Sequence, residues 1–339
     1  MDKKYDLITM GEVMLRLSPP VNERLCRGDI LTKQAAGAEL NVAAGVSRLG
    51  LRTAAVTKVP DNAIGAFIQS KMKEVGVSDE YLVFDKAKDA RLGIYYYENG
   101  AAPRKPSVVY DRLYSSVRTL SLAELPDDVY ASTRCFHTSG ITLALGGELR
   151  ENTVEAVRRF KEAGALISFD VNFRANLWDS KEAKATVERI LPYVDIFFCA
   201  SLTARLTFLK EGTPKEMMKQ FTKEYPIRVV ASTERVVHGP LRHTFGSVIY
   251  NAAEDAYYEE EPYRDIDVVD RIGSGDAYVA GALYGYLAHG GDCRQALAYG
   301  NAYSAIKCTV PGDLPCSGIG ETDSIIAMHR TGGGSEMNR

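Results

Sequence analysis

An Asp-Arg-Ile-Gly-Ser-Gly-Asp-Ala segment at positions 270–277 carries the densest chemistry in this 339-residue chain. Glycines at 273 and 275 let main-chain N–H groups approach an oxyanion, and a helix starting there adds partial positive charge at the same point. The segment therefore reads as an anion site with a carboxylate, Asp276, beside it. Two phosphate-binding patterns do not account for it. There is no GxxxxGK[ST], and the third glycine of GxGxxG falls on Tyr278. A glycine turn in which Asp276 merely caps a helix has the same local pattern, so the surrounding sequence must decide.

Short β-type runs alternate with segments of helical period, the pattern of a parallel sheet covered by helices on both faces. Tyr5–Met10 predicts a first buried strand, followed by a helix over 40–49, a strand over 53–59 and a helix over 64–75 that stops at Gly76. Helices are expected at 151–163, 181–191 and 214–224, and strands at 166–170, 196–199 and 228–231. A small-residue, glycine-spaced helical segment at 278–289 follows. Between Arg91 and Arg112, Tyr95, Tyr96, Tyr97, Val108, Val109 and Tyr110 lie in β-favouring runs around a turn-rich stretch, as in a hairpin. With strands over 14–17 and 29–34, this predicts a lid sheet from approximately 13–36 and 91–114. Strand alternation puts Tyr95 and Tyr97 on one face and Tyr96 on the other. No Pro/Gly/Ser-rich linker separates lid from core, so a single domain over 1–330 is expected, with 331–339 as a mobile tail.

Composition narrows the function. Apolar residues make up 45% and charged residues 25%, as in ordinary folded proteins. Forty-one Lys and Arg against 44 Asp and Glu give a net charge of −3, which disfavours nucleic acid as a partner. The six cysteines form no CxxC pair and the five histidines no HxxxH, so reduced thiols and no structural zinc module are expected. Asp6 and Glu12 interrupt any export signal, and 277–291 is too short and too glycine-rich for a membrane span. A cytoplasmic location is expected.

The 270–276 segment resembles the C-terminal signature of the ribokinase-like (PfkB) carbohydrate kinases. Gly37-Ala38-Glu39-Leu40-Asn41-Val42-Ala43, followed by Arg48-Leu49-Gly50 and Gly65, is similar to that family's sugar-binding helix start. The likeness runs almost end to end. Asp170-Val171-Asn172-Phe173-Arg174 with Leu177-Trp178, Tyr110-Asp111-Arg112, and His137-Thr138-Ser139-Gly140-Ile141 most resemble its 2-keto-3-deoxygluconate kinases. The resemblance implies an α/β fold: a three-layer α/β/α core with a mainly parallel sheet and a small inserted β-sheet lid. It implies ATP-dependent phosphorylation with Asp276 as general base, and main-chain amides from Ile272 to Gly275 stabilising charge on the phosphoryl group, so that Gly273, Ser274 and Gly275 share in catalysis. Gly37, Asn41, Tyr95, Tyr110, Arg112 and Arg174 would contact the sugar. The two arginines would hold its carboxylate through paired hydrogen bonds. Ser232, Glu234 and Arg235 would lie near the ATP phosphates, Asn301 or Ser304 near the adenine, and Gly312-Asp313 would close the pocket.

One stretch departs from the family. Many members carry Asn-x-x-Glu after the strand near Cys199, tied through water to Mg²⁺ and phosphate, and the corresponding residues here read as Ser201-Leu202-Thr203-Ala204. Magnesium would then rely on ATP phosphates, water and other carboxylates. The resemblance also leaves room for a monovalent cation. The expected reaction converts 2-keto-3-deoxygluconate to 2-keto-3-deoxy-6-phosphogluconate. The alternatives are a fructokinase-like or other carbohydrate kinase, and a non-catalytic sensor of sugar acid or nucleotide. Fold-level analogy adds a homo-oligomer, as a dimer through the lid.

Overall fold

The computed structural model describes residues 3–332. Its first part runs β1 (Tyr5–Met10), β2 (Met14–Ser18), β3 (Thr32–Ala36), α1 (Ala38–Arg48), β4 (Thr53–Pro60), α2 (Ala63–Glu74), β5 (Val77–Ser78), β6 (Leu82–Asp85), β7 (Gly93–Glu98) and β8 (Ser107–Asp111). The middle follows with β9 (Thr133–Ser139), α3 (Gly140–Ala144), α4 (Gly147–Glu162), β10 (Leu166–Asp170), α5 (Ser180–Val187), β11 (Ile196–Phe198), α6 (Ser201–Leu206) and α7 (Pro214–Glu224). It ends with β12 (Val229–Gly239), β13 (Arg242–Asn251), β14 (Ala256–Glu259), β15 (Tyr263–Asp267), α8 (Ser274–Ala288), α9 (Cys293–Cys308) and α10 (Ile319–Thr331).

The main sheet has the order β14-β13-β12-β11-β10-β9-β1-β4-β5, with β15 beside β13 and β6 beside β4. Pairing is parallel from β12 to β5 and antiparallel among β12 to β15. Its central strands are apolar on both faces, because successive side chains point to opposite helix layers. Ile8, Phe136, Phe197 and Val230 pack with α4, α5 and α7. Their neighbours Leu7, Cys135, Phe198 and Val229 pack with α1, α8 and α9. Local signals start the helices as expected: Asn62 caps α2, and Thr213 and Glu216 form a capping box ahead of Pro214 on α7.

The lid is a separate four-stranded sheet, β3-β2-β7-β8, antiparallel at both ends and parallel between β2 and β7. Val13, Leu15, Ala35 and Leu92 seat it on Leu40 of α1 and Ile68 of α2. Several boundaries differ from the sequence reading. The second lid strand starts at Thr32, not 29. The helix predicted over 181–191 stops at Val187, and a 3₁₀ turn containing Pro192 follows. β12 does not stop at 231: it continues to Gly239 because β13 pairs along it as a hairpin. α8 begins at Ser274, four residues earlier than read. Thr331, read as tail, is the last residue of α10, and Gly332 follows it at φ 65°; the remainder of that tail lies outside the described residues.

Candidate active site

A cleft of about 530 Å³ opens between the lid and the carboxyl ends of β10, β11 and β12, where open α/β sheets take ligands. Asp276, third residue of α8, stands on its wall. Its Oδ2 accepts a 2.7 Å hydrogen bond from Asn41 Nδ2, and its Oδ1 lies 3.5 Å from Asn172 Nδ2. Asn41 is buried in α1. Glu39, two residues earlier, pins the start of that helix by accepting bonds from Ser139 and Thr142. Asn172 sits at φ 37°, its N–H donated to Asp170 Oδ1 at 3.0 Å, an Asx turn that ends β10. Burial pushes the Asp276 carboxyl up to about 6, against the opposing pull of Asn41 and Arg174. It pushes Asp170 up to about 7, with the negative charge of Asp276 adding to the effect. Asp276 is thus ionised at neutral pH yet more basic than a solvated aspartate.

The anion donors are a narrower set than the sequence implied. Ile272 N–H is bonded to Asp270 Oδ1 at 3.0 Å, and Ser274 N–H to the Arg271 carbonyl at 3.2 Å. The N–H groups of Gly273, Gly275 and Asp276 make no hydrogen bond among the described residues. Gly273 is required here: it sits at φ 78°, and a Cβ would come 2.4 Å from the Asp313 carbonyl oxygen. Gly37 lines the cleft at φ 144°, but its missing side chain makes room for the Glu12 carbonyl, 2.3 Å from where a Cβ would stand.

A buried ionic cluster joins the lid to this turn. Arg16 on β2 contacts Asp270 at 2.6 Å and Asp313 at 2.6 Å, stacks over Tyr97, and donates from Nε to Ser18. Tyr95 on β7 donates its hydroxyl to Asp313 at 2.6 Å. Asp313 is therefore an anchor for the lid, more than the closing turn it was read as. Tyr95 and Tyr97 do share a buried face, with Tyr96 less buried. Tyr95 and Tyr110 both line the cleft, with ring centroids 5.7 Å apart. With its hydroxyl committed to Asp313, Tyr95 offers the cleft its ring.

The arginines divide into paired and free. Arg112 lines the cleft, yet its guanidinium is bonded to the buried Glu12 carboxylate, which Ser115 also contacts at 2.5 Å. Its charge is already balanced. Arg174 is exposed at the cleft and forms no ion pair among the described residues; its one hydrogen bond goes to the Phe173 carbonyl. Arg235 donates to Ser274 Oγ at 2.8 Å, and Arg271, overlooked in the sequence though it lies inside the 270–276 segment, also faces the cleft with no acidic partner among the described residues.

On the nucleotide side the structure departs from what the sequence implies. Alternation along β12 turns Ala231, Thr233 and Arg235 to the cleft, whereas Ser232 bonds Ser201 Oγ at 3.1 Å and Glu234 is exposed outside the lining. Asn301 and Ser304 are fully buried. Asn301 uses its amide on Ser247 and Glu260, tying α9 to β13, and Ser304 donates to the Ser274 carbonyl at 2.9 Å, tying α9 to α8; neither lines the cleft. The register after β11 also shifts: Ala200 and Thr203 face the cleft, while Ala204 is in the core. No cluster of three metal-ligating side chains occurs among the described residues.

A family model described as pfkB family carbohydrate kinase matches residues 4–318. A Haloferax volcanii protein named 2-dehydro-3-deoxygalactonokinase is 37% identical over 321 residues, covering 95% of this chain and 96% of its own. A Bacillus subtilis protein named 2-dehydro-3-deoxygluconokinase is 29% identical over 312 residues, covering 92% of each. The crystal structure of a Thermotoga maritima 2-dehydro-3-deoxygluconokinase superposes with a TM-score of 0.90 at 30% identity, covering 95% of this chain and 99% of that one.

Proposed function

The chain belongs to the pfkB family of carbohydrate kinases, and from that premise we propose that it transfers the γ-phosphate of ATP to the terminal hydroxyl of 2-keto-3-deoxygluconate, the 2-dehydro-3-deoxy acid of its relatives' names. One juxtaposition carries the reading: an ionisable Asp276 beside three unbonded main-chain N–H groups, in a cleft whose unpaired Arg174 matches a sugar carboxylate.

In the proposed step the substrate hydroxyl gives its proton to Asp276, its oxygen bonds the γ-phosphorus, and the bond from that phosphorus to the ADP oxygen breaks. Asn41 and Asn172 hold the carboxylate toward the hydroxyl. The N–H groups of Gly273 and Gly275 and the guanidinium groups of Arg235 and Arg271 offset the charge on the phosphoryl oxygens. Mg²⁺ bound to ATP would screen the charge of its phosphates. On the nucleotide side Ala200, Thr203, Thr233 and Arg235 would supply no carboxylate to hold it; the carboxylates lining the cleft are Asp170, Asp276 and Asp313, of which Asp313 is taken by Arg16 and Tyr95. Arg174 takes the carboxylate and Tyr110 and Tyr95 wall the carbon chain.

A second reading, the C4 epimer 2-keto-3-deoxygalactonate, is favoured by the name of the 37% identical relative. A cytoplasmic location agrees with six unpaired cysteines and with no helix among the described residues being long and apolar enough to cross a membrane. Exposed Val108, Val109 and Tyr110 on the edge strand β8 support pairing of two copies through their lids; light scattering should then give twice 37.2 kDa, and a single 37.2 kDa species would overturn the pairing. The deciding experiment is ATP turnover by purified protein with 2-keto-3-deoxygluconate, its galacto epimer, fructose, ribose and no sugar. Saturable turnover with a keto-deoxy acid supports the reading. Turnover with only a neutral sugar overturns it, and binding without turnover makes the protein a sensor.

A further inference from the structure

Lys307, near the end of α9, is 2% exposed and has no carboxylate within ion-pair distance among the described residues. Its ammonium donates instead to two main-chain carbonyls, those of Asp270 at 3.3 Å and Val310 at 3.2 Å. A buried lysine bonded only to neutral carbonyls is unusual, since burial of a charge ordinarily calls for a partner of opposite sign. The compensation lies slightly farther out. Arg16 alone bridges the carboxylates of Asp270 and Asp313, so one guanidinium faces two carboxylates, and the Lys307 ammonium is the second cation of the buried set.

The two carbonyls belong to the segments that hold the anion turn. Asp270 begins it, and its side chain fixes Ile272 N–H and Gly312 N–H, both at 3.0 Å. Val310 leads to Gly312 and Asp313, whose carbonyl packs against Gly273. Val269 and Asp270 also donate N–H to the Cys308 carbonyl, at 2.8 and 3.1 Å. A compact cation among carbonyl oxygens beside an excess carboxylate charge is the setting in which a free, oxygen-seeking monovalent ion would otherwise bind.

We propose that Lys307 is a built-in monovalent cation: its ammonium fills the carbonyl-lined place between the 270 and 310 segments, holds the Gly273–Asp276 turn in register, and frees the protein from any requirement for dissolved potassium. The residues therefore do not fit a bound monovalent ion. Lys307 is a positioning residue that acts through Asp270 and Val310 and does not touch substrate. The inference depends on the kinase reading only where turnover is measured; melting temperature and the affinity for a non-hydrolysable ATP analogue test it without any sugar.

Wild-type protein is compared in potassium, sodium and choline chloride at equal ionic strength. Melting, analogue affinity and turnover should agree within about twofold, because no site is left for the ion. The Lys307→Ala variant opens that place. In choline it should melt lower and bind the analogue at least about tenfold more weakly, and ammonium or potassium, which fit where choline does not, should restore both. A wild type that needs potassium overturns the proposal. So does a Lys307→Ala variant indifferent to the cation supplied, or one that stays unfolded in every salt, since the refilled place should rescue it. Absence of keto-acid turnover alone would count against the proposed substrate and leave the melting and affinity results to decide the role of Lys307.

Discussion

Asp276 combines two demands that conflict: it must be charged to accept a proton, and it is placed where burial disfavours charge. With its carboxyl pushed up to about 6, the protonated form dominates below that pH, so kcat/KM should fall as pH drops through about 6 and level off above pH 7. Asp276→Asn should cut kcat by about 10²–10⁴ and abolish that limb while ATP-analogue affinity persists. Stability should move the other way. A carboxyl whose folded value lies above its unfolded value costs stability as pH rises between the two, here from the ordinary 3.8 to about 6. Asp276→Asn should therefore raise the melting temperature more at pH 8 than at pH 4. Retained full turnover would give the base role to another group, with Asp170 the first to examine. At the other end of the cleft, Arg174→Ala should raise KM for the acid about 10–100-fold, in line with loss of about 1.5–3 kcal/mol of charged hydrogen bonding, with little effect on a neutral sugar. Equal effects on both would make Arg174 structural. The placement of Asp276 and the glycines in the cleft was legible from local type and spacing, and that of Arg174 only from the resemblance of the motif around it. The pairing of Arg112 with Glu12 was not, because a partner 100 positions away leaves no trace in either segment.

At the scale of elements, α8 and α9 form the platform beneath the anion turn, and their packing explains a composition that looked merely glycine-rich. A Cβ on Gly281 would stand 2.3 Å from the Tyr299 carbonyl oxygen, and one on Gly285 2.4 Å from that of Gln295. The two backbones touch there. Gly281→Ala should destabilise by about 1–3 kcal/mol through overpacking, lowering the melting temperature and, by tilting α8, kcat. An unchanged melt would mean that α9 can yield. Strands with apolar runs and helices with caps, β1, β10 and α7 among them, were read at or near their true limits. β12 runs eight residues past the Ala231 at which its apolar pattern ends, because its outer half, exposed through 234–238, gains strand geometry from β13 and not from its own apolar pattern. That same missing register assigned Ser232 and Glu234 to the cleft in place of Thr233.

For the whole molecule, the lid is keyed to the core by charge as well as by apolar packing. Arg16→Met would leave Asp270 and Asp313 buried without their shared cation, at a cost of about 3–5 kcal/mol. Limited proteolysis should then cut the lid segments faster than in wild type, and equal rates would assign the lid's hold to its apolar base. Nothing in the sequence near Arg16 marks it, since Asp313 is 297 positions away. That separation has a consequence for how the protein is made. On the ribosome, β2 emerges early, yet neither carboxylate that receives Arg16 exists until residues 270 and 313 have been synthesised. A nascent chain released before that point carries an arginine whose destination is missing. Docking of the 270–313 region onto the lid strand that emerged first must wait until residue 313 has been made, and a chain that stops short of it cannot complete the ionic cluster beneath its own active site.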